Sequence, residues 1–256
     1  MPFVNNQGVK IFYKVEGHGT PLVLLHGGPG SHLEWYACDH IQTLMEDYQL
    51  ILIDLRGNGQ SDKPHDSESY LTKIFTSDII AVLDELKIDK AHCWGYSYGG
   101  YIAFCLSRDY PERFHSYIIG GMQPRGLTKE TKENLKNAKE KLKDGADGLI
   151  AHVKEKGEEV TPDTEKRFRA MDFEAINAWI NSLDLFHKVD EHLPELKEPF
   201  LFYAGEKDEW NPYPHLAEVS KEMKNAKAIL FENKGHEVQF IPGVVLPHVL
   251  EFLENQ

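Results

Sequence analysis

Cysteine is scarce in this chain: three residues, Cys38, Cys93 and Cys105, among 256. So odd and small a number makes no disulfide framework, and Cys93 and Cys105 sit in apolar stretches as reduced core residues do. Long apolar runs are also missing. None reaches the ~20 residues that a membrane-spanning helix needs, and no charged-then-apolar leader precedes Phe3. These absences predict a soluble, cytoplasmic protein. Positive charge is short as well: 28 Lys and Arg face 41 Asp and Glu, a net charge of −13. Such acidity argues against nucleic acid and anionic membranes as partners and gives no long-range pull on an anionic substrate. Metal-ligand spacing is lacking too. His26, His32 and Cys38 do not form a ligand set, so no metal or added cofactor is expected. A chain this long buries roughly 70–75% of its unfolded surface, enough for one large domain or two small ones without staples.

What the chain does have is alternation. Residues 2–4 and 9–13 flank Asn5-Asn6-Gln7-Gly8 as a hairpin would, since these turn residues tolerate positive φ. Continuous apolar runs at 21–25 and 49–53 read as strands buried on both faces. A helix is expected over 69–87, where Ile79, Val82, Leu83 and Leu86 recur at helical spacing. Strands at 91–94 and 115–119 bracket a helix reaching about Tyr110. From 122 to 188 no strand is predicted. The Lys- and Glu-dense stretch 128–143 reads as an amphipathic helix on Leu135, Ala138 and Leu142, and Phe173, Ile176, Trp179 and Ile180 mark another. Strands at 199–203 and 228–231 and a closing helix at 244–253 resume the alternation. The prediction is an α/β fold with a mostly parallel, twisted sheet covered by helices on both faces. Its core is assigned to 1–121 and 189–256, with a helical insertion at 122–188.

Chemistry concentrates in Gly95-Tyr96-Ser97-Tyr98-Gly99, a G-x-S-x-G turn between the strand at 91–94 and the helix after it. Flanking glycines let the backbone bend sharply while the serine hydroxyl is held above the sheet. Upstream, His26-Gly27-Gly28-Pro29-Gly30 follows the strand at 21–25, and Asp54-Leu55-Arg56-Gly57-Asn58-Gly59-Gln60-Ser61-Asp62 follows the strand at 49–53. With these motifs the chain resembles the α/β-hydrolase fold superfamily along nearly its whole length, the insertion standing where that family carries its cap.

The resemblance implies roles. The backbone N–H groups of Gly28 and Tyr98 would form an oxyanion hole, and the family's chain order places an acid and then a histidine after the nucleophile Ser97. Of His215, His236 and His248 beyond the strand at 199–203, His236 in Asn233-Lys234-Gly235-His236 matches the family's Gly-His pair. Asp208 in Ala204-Gly205-Glu206-Lys207-Asp208 matches the G-x-x-D turn, with Glu206 and Glu209 as rivals. His26 is read as structural, and Asp54 and Arg56 as loop-fixing residues. The pocket should lie between the sheet's carboxyl edge and the cap, lined by Trp35, Tyr98, and Phe173 or Trp179. The expected activity is that of a serine hydrolase acting on a small-molecule ester or similar acyl compound. Proline iminopeptidases share the motifs at 26–30 and 54–61, but their elbow usually reads G-G-S-W-G. Their amine-binding cap carboxylates would here be Glu158, Glu159, Asp172 or Glu174. The fold is equally that of lactonases, carbon–carbon bond hydrolases and slow-turnover ligand receptors, so these activities stand as rivals too.

Overall fold

The computed structural model describes residues 2–124, 129–155, 157, 159–183, 190–210 and 213–256. Eight strands form one sheet in the order β1-β2-β4-β3-β5-β6-β7-β8. β1 (Phe3–Asn6) and β2 (Val9–Gly17) make the expected hairpin, its turn carried by Gln7 and Gly8 at positive φ. β2 also pairs antiparallel with β4 (Tyr48–Ile53). From there the sheet is parallel through β3 (Thr20–Leu25), β5 (Ala91–Tyr96), β6 (Phe114–Gly120), β7 (Phe200–Gly205) and β8 (Ala226–Phe231).

The apolar runs sit centrally because both faces are covered. Val23, Leu25, Ile51, Ile53 and Cys93 point into one cluster, and Leu22, Leu24, Leu50, Leu52 and Trp94 into the other, all fully buried. Period-two alternation therefore divides residues between two cores rather than between core and solvent. α2 (Thr72–Glu85), α3 (Tyr98–Asp109) and α8 (Tyr213–Glu222) cover the first face. α1 (His40–Leu44) and α9 (Leu246–Leu253) cover the second. The predicted helix over 69–87 begins later, because Leu71 is extended (ψ 142°) between a 3-10 turn at Ser67–Tyr70 and α2.

Between β6 and β7 lie α4 (Lys129–Leu142), α5 (Gly145–Glu155), α6 (Pro162–Arg169) and α7 (Phe173–Ser182). α4 and α7 answer the two expected insertion helices. The side chain of Ala138, read as part of the apolar face of α4, lies outside the described residues, as do residue 128 and the expected boundary at 188–189. α5 and α6 were not legible: α6 is almost entirely charged and polar, so its sequence carries little apolar periodicity. No helix among the described residues is long and apolar enough to cross a membrane.

One buried histidine ties the sheet to pH. His92 on β5 is 5% exposed and shares a 2.7 Å hydrogen bond between Nδ1 and Ser116 Oγ. Burial, reinforced by neighbouring His115, pushes its imidazole down to about 4 from the usual 6.5. The unfolded chain thus binds a proton that the folded chain refuses. The associated stability is complete above the unfolded value and is lost as pH falls from about 6.5 toward 4, by roughly 2–3 kcal/mol. Urea midpoints measured across that window should fall more steeply for wild type than for His92→Asn. Parallel slopes would remove His92 as the cause.

Candidate active site

Ser97 closes β5 and opens α3 with φ 51° and ψ −119°, a backbone conformation that L-residues rarely adopt. Holding it there costs about 1–3 kcal/mol, met by the surrounding packing. Both flanking glycines are required by space. A Cβ on Gly95 would overlap the Gly99 carbonyl, and one on Gly99 would overlap the Leu25 carbonyl. The Ser97 N–H donates to Gly120 O at 2.8 Å, anchoring the turn to β6.

Two later loops bring side chains to this hydroxyl. His236 opens a 3-10 turn (His236–Phe240) after β8, and its Nε2 lies 3.0 Å from Ser97 Oγ. Its Nδ1 lies 2.8 Å from Asp208 Oδ2, in the loop after β7. Asp208 is 3% exposed, and its Oδ1 accepts the Trp210 N–H at 2.9 Å. A buried carboxylate only accepts, so Nδ1 carries the proton and Nε2 faces the hydroxyl as acceptor. The Tyr96 hydroxyl donates to the His236 carbonyl at 2.5 Å, and its ring lies 5.2 Å from the imidazole.

Of the rivals, Glu206 and His248 have other partners. Glu206 accepts the Asn233 N–H at 2.8 Å, and Glu209 is exposed. His248 packs on Phe231 with ring centroids 5.5 Å apart, and the side chain of His215 lies outside the described residues.

The glycine loop runs beside the elbow. A Cβ on Gly27 would sit 3.4 Å from Ser97 Cβ, and one on Gly28 would sit 3.4 Å from Tyr98 Cβ. Gly28 is thus next to the first residue of α3, whose N-terminal N–H groups favour negative charge. His26 serves the loop: Nδ1–H donates to Gly27 O at 2.6 Å, and Nε2 accepts the Leu55 N–H at 3.0 Å. Burial lowers its pKa and keeps it neutral. Asp54 accepts from the His32 N–H (2.6 Å), His32 Nδ1 (2.8 Å) and the Gln60 N–H (2.7 Å). Burial opposes its charge, yet these bonds prevail and hold the carboxyl below its usual range. Arg56 pairs not with Asp54 but with buried Asp78, through Nε–H at 2.6 Å and an NH2 donor at 2.7 Å. Glu34 is a residue that sequence reasoning misses. Its half-buried carboxyl lies under the glycine loop, where burial raises its pKa to about 7 against opposing hydrogen bonds from the backbone of Gly27 and Ser31. Nothing in its spacing marks it.

The three pocket candidates separate. Trp179, on α7, lies beside the glycine loop: a Cβ on Gly28 would come within 2.6 Å of its Cη2, and its ring meets Tyr98 edge-on at 5.0 Å. Trp35 corrects the expected lining. The 3-10 turn His32–Tyr36, capped by Ser31, carries that indole onto the α1 and α9 face, edge-on to Trp94 at 5.0 Å. Phe173 packs instead against Gly145 at the start of α5, as a contact between insertion helices. Asp172 and Glu174 are both held by one half-exposed histidine, His65, at 3.0 and 2.9 Å. Glu159 is exposed, and Glu158 lies outside the described residues. Among the described residues no group of three or more His, Cys, Asp or Glu is placed to hold a metal ion.

The family model described as "alpha/beta hydrolase fold" matches residues 20–242. The chain belongs to the alpha/beta hydrolase fold family. Within it, the chain is 26% identical over 243 residues to AB hydrolase superfamily protein YisY of Bacillus subtilis, covering 89% of each. It is 33% identical over 154 residues to the putative 2-succinyl-6-hydroxy-2,4-cyclohexadiene-1-carboxylate synthase of the same organism. That match takes in 57% of this chain and about half (55%) of that relative's length. A thermophilic esterase from Thermogutta terrifontis superposes with a TM-score of 0.80 at 21% identity, over 99% of this chain and 97% of the other, a likeness of fold. This alpha/beta hydrolase carries the family's sheet, with His236 hydrogen-bonded to Ser97 on one side and to Asp208 on the other at its carboxyl edge.

Proposed function

We propose that this alpha/beta hydrolase is a serine esterase that cleaves a small carboxylic ester or related acyl bond through an acyl-enzyme on Ser97. The observation that carries the reading is the imidazole of His236 hydrogen-bonded on one side to Ser97 Oγ and on the other to buried Asp208. Nε2 takes the hydroxyl proton as Oγ attacks the carbonyl, and the Asp208 carboxylate stabilises the resulting imidazolium. The N–H groups of Gly28 and Tyr98 receive the oxyanion, each donor contributing about 3–4 kcal/mol. His236 then protonates the leaving alcohol and activates water for the second half-reaction. A serine rather than an aspartate at position 97 favours this chemistry over epoxide opening. The engagement of Asp172 and Glu174 by His65 favours an ester over a peptide amine, since two of the carboxylates an aminopeptidase would use are already paired. Three free thiols fit a cytoplasmic setting.

The deciding experiment is a fluorophosphonate probe followed by a panel of p-nitrophenyl esters, a lactone and a prolyl arylamide. Esters should be turned over fastest. Faster hydrolysis of the prolyl arylamide would replace this reading with the aminopeptidase one, and labelling without turnover would favour a receptor.

Trp179 gives the panel a direction. Its indole lies over Gly28, beside the proposed oxyanion position, where it would limit the length of the acyl group. Trp179→Ala should raise kcat/KM for octanoate relative to acetate by about tenfold or more, because each added methylene can then be buried. An unchanged ratio would remove Trp179 from the acyl site.

A further inference from the structure

The three segments that carry the site are joined on the face of the sheet turned away from the insertion. Trp94 lies three residues before Ser97, Tyr203 five before Asp208, and Gln239 three after His236. Trp94 Nε1–H donates to the Tyr203 hydroxyl at 2.9 Å, and that hydroxyl donates in turn to Gln239 Oε1. All three side chains are 1% exposed or less. β5 and β7 are not neighbours, since β6 runs between them. The phenol reaches across because its partner on β6 is Gly120, where any Cβ would overlap the Tyr203 ring and hydroxyl. Burial raises the phenol well above its usual pKa, so the hydroxyl stays a donor. The same turn is also held by His40 Nε2–H, which donates to the Gln239 carbonyl at 2.9 Å.

We infer that the Trp94–Tyr203–Gln239 chain, passing over Gly120, is a positioning device that sets the separation of the elbow, the acid loop and the histidine turn. Tyr203 is then a positioning residue for the reaction proposed above, on which this inference rests. It touches no substrate. Its hydroxyl bonds at once to the strand before Ser97 and to the turn after His236. Removing it leaves two buried groups, the Trp94 Nε1–H and the Gln239 Oε1, without their shared partner, and each then pulls its own segment toward a new one. A small displacement of Nε2 from Oγ lowers the rate without changing the surface that binds substrate.

The test compares Tyr203→Phe, Gln239→Met and the double variant with wild type. Each single variant should lose about tenfold in kcat with KM within about twofold, and the double should lose little more than either single, because both break one chain. Fluorophosphonate labelling of Ser97 should slow in step. A second readout needs no substrate: the downfield proton resonance of His236 Nδ1–H, hydrogen-bonded to Asp208, should shift or exchange faster in Tyr203→Phe. Wild-type kcat with an unmoved resonance overturns the inference, as does a loss confined to melting temperature. If wild type itself neither labels nor turns over esters, the esterase reading fails. The resonance of His236 then decides the positioning role independently.

Discussion

Replacing Ser97 by alanine is expected to lower kcat on p-nitrophenyl acetate by about 10⁴–10⁶-fold while leaving the fold intact. The size follows from the arrangement. In the proposed mechanism His236 and Asp208 act only through the Ser97 oxygen, so its removal would silence all three at once. What remains is the rate that the glycine loop and the start of α3 provide by stabilising charge on a carbonyl attacked by water. Stability should hardly move. Alanine keeps the Cβ, and the strained backbone (φ 51°) is imposed by the neighbouring glycines and the bond to Gly120. The measurement is steady-state hydrolysis with matched far-ultraviolet spectra. A folded variant retaining a tenth of wild-type activity would exclude Ser97 as nucleophile.

The largest effect on stability should come from a pair far from the chemistry. Asp78→Ala is expected to cost about 3–5 kcal/mol, out of a total that for most domains is only about 5–15 kcal/mol. Arg56 and Asp78 are both 2% exposed or less, bonded through two nitrogens, and Asp78 also accepts from Asn6 Nδ2 at 2.7 Å. Burial still pushes the Asp78 carboxyl above its usual value, against the pull of Arg56, so the pair only roughly compensates its own desolvation. Removing the carboxylate leaves the guanidinium buried with the Ser69 carbonyl for company. The double variant Arg56→Leu, Asp78→Leu should recover much of the loss. Urea denaturation of the two variants checks this, and a double variant no better than the single would show that the pair itself contributes net stability.

The parts of this molecule that could be read in advance are those where one short segment carries its own signal. Gly95 to Gly99 and the apolar runs of β3 and β4 are of that kind, because their glycines and branched side chains answer to local backbone geometry and two-sided burial. Asp208 and His236 follow from the family's chain order and motifs, and the structure brings His236 to Ser97 and Asp208 to His236. Direction was harder. Trp35 stands close to the glycine loop in sequence, yet a single 3-10 turn sends its indole to the other face. Phe173 and Trp179 share one helix and one periodicity, and only tertiary packing decides which meets Gly28 and which meets Gly145. The bridge through Tyr203 was invisible, since its meaning depends on a glycine in a neighbouring strand and on partners 109 and 36 residues away.

The contact between Ser97 and His236 spans 139 residues of chain. A polypeptide made from its N-terminus can pair β1 through β6 and shape the elbow long before the histidine exists. Closing so wide a loop is entropically slow, and it depends on β7 and β8 docking in order. The strained serine is therefore formed early and armed late. On the proposed mechanism a nascent or half-folded chain would be chemically silent, and hydrolytic power would arrive only with the last strands, as a by-product of complete folding.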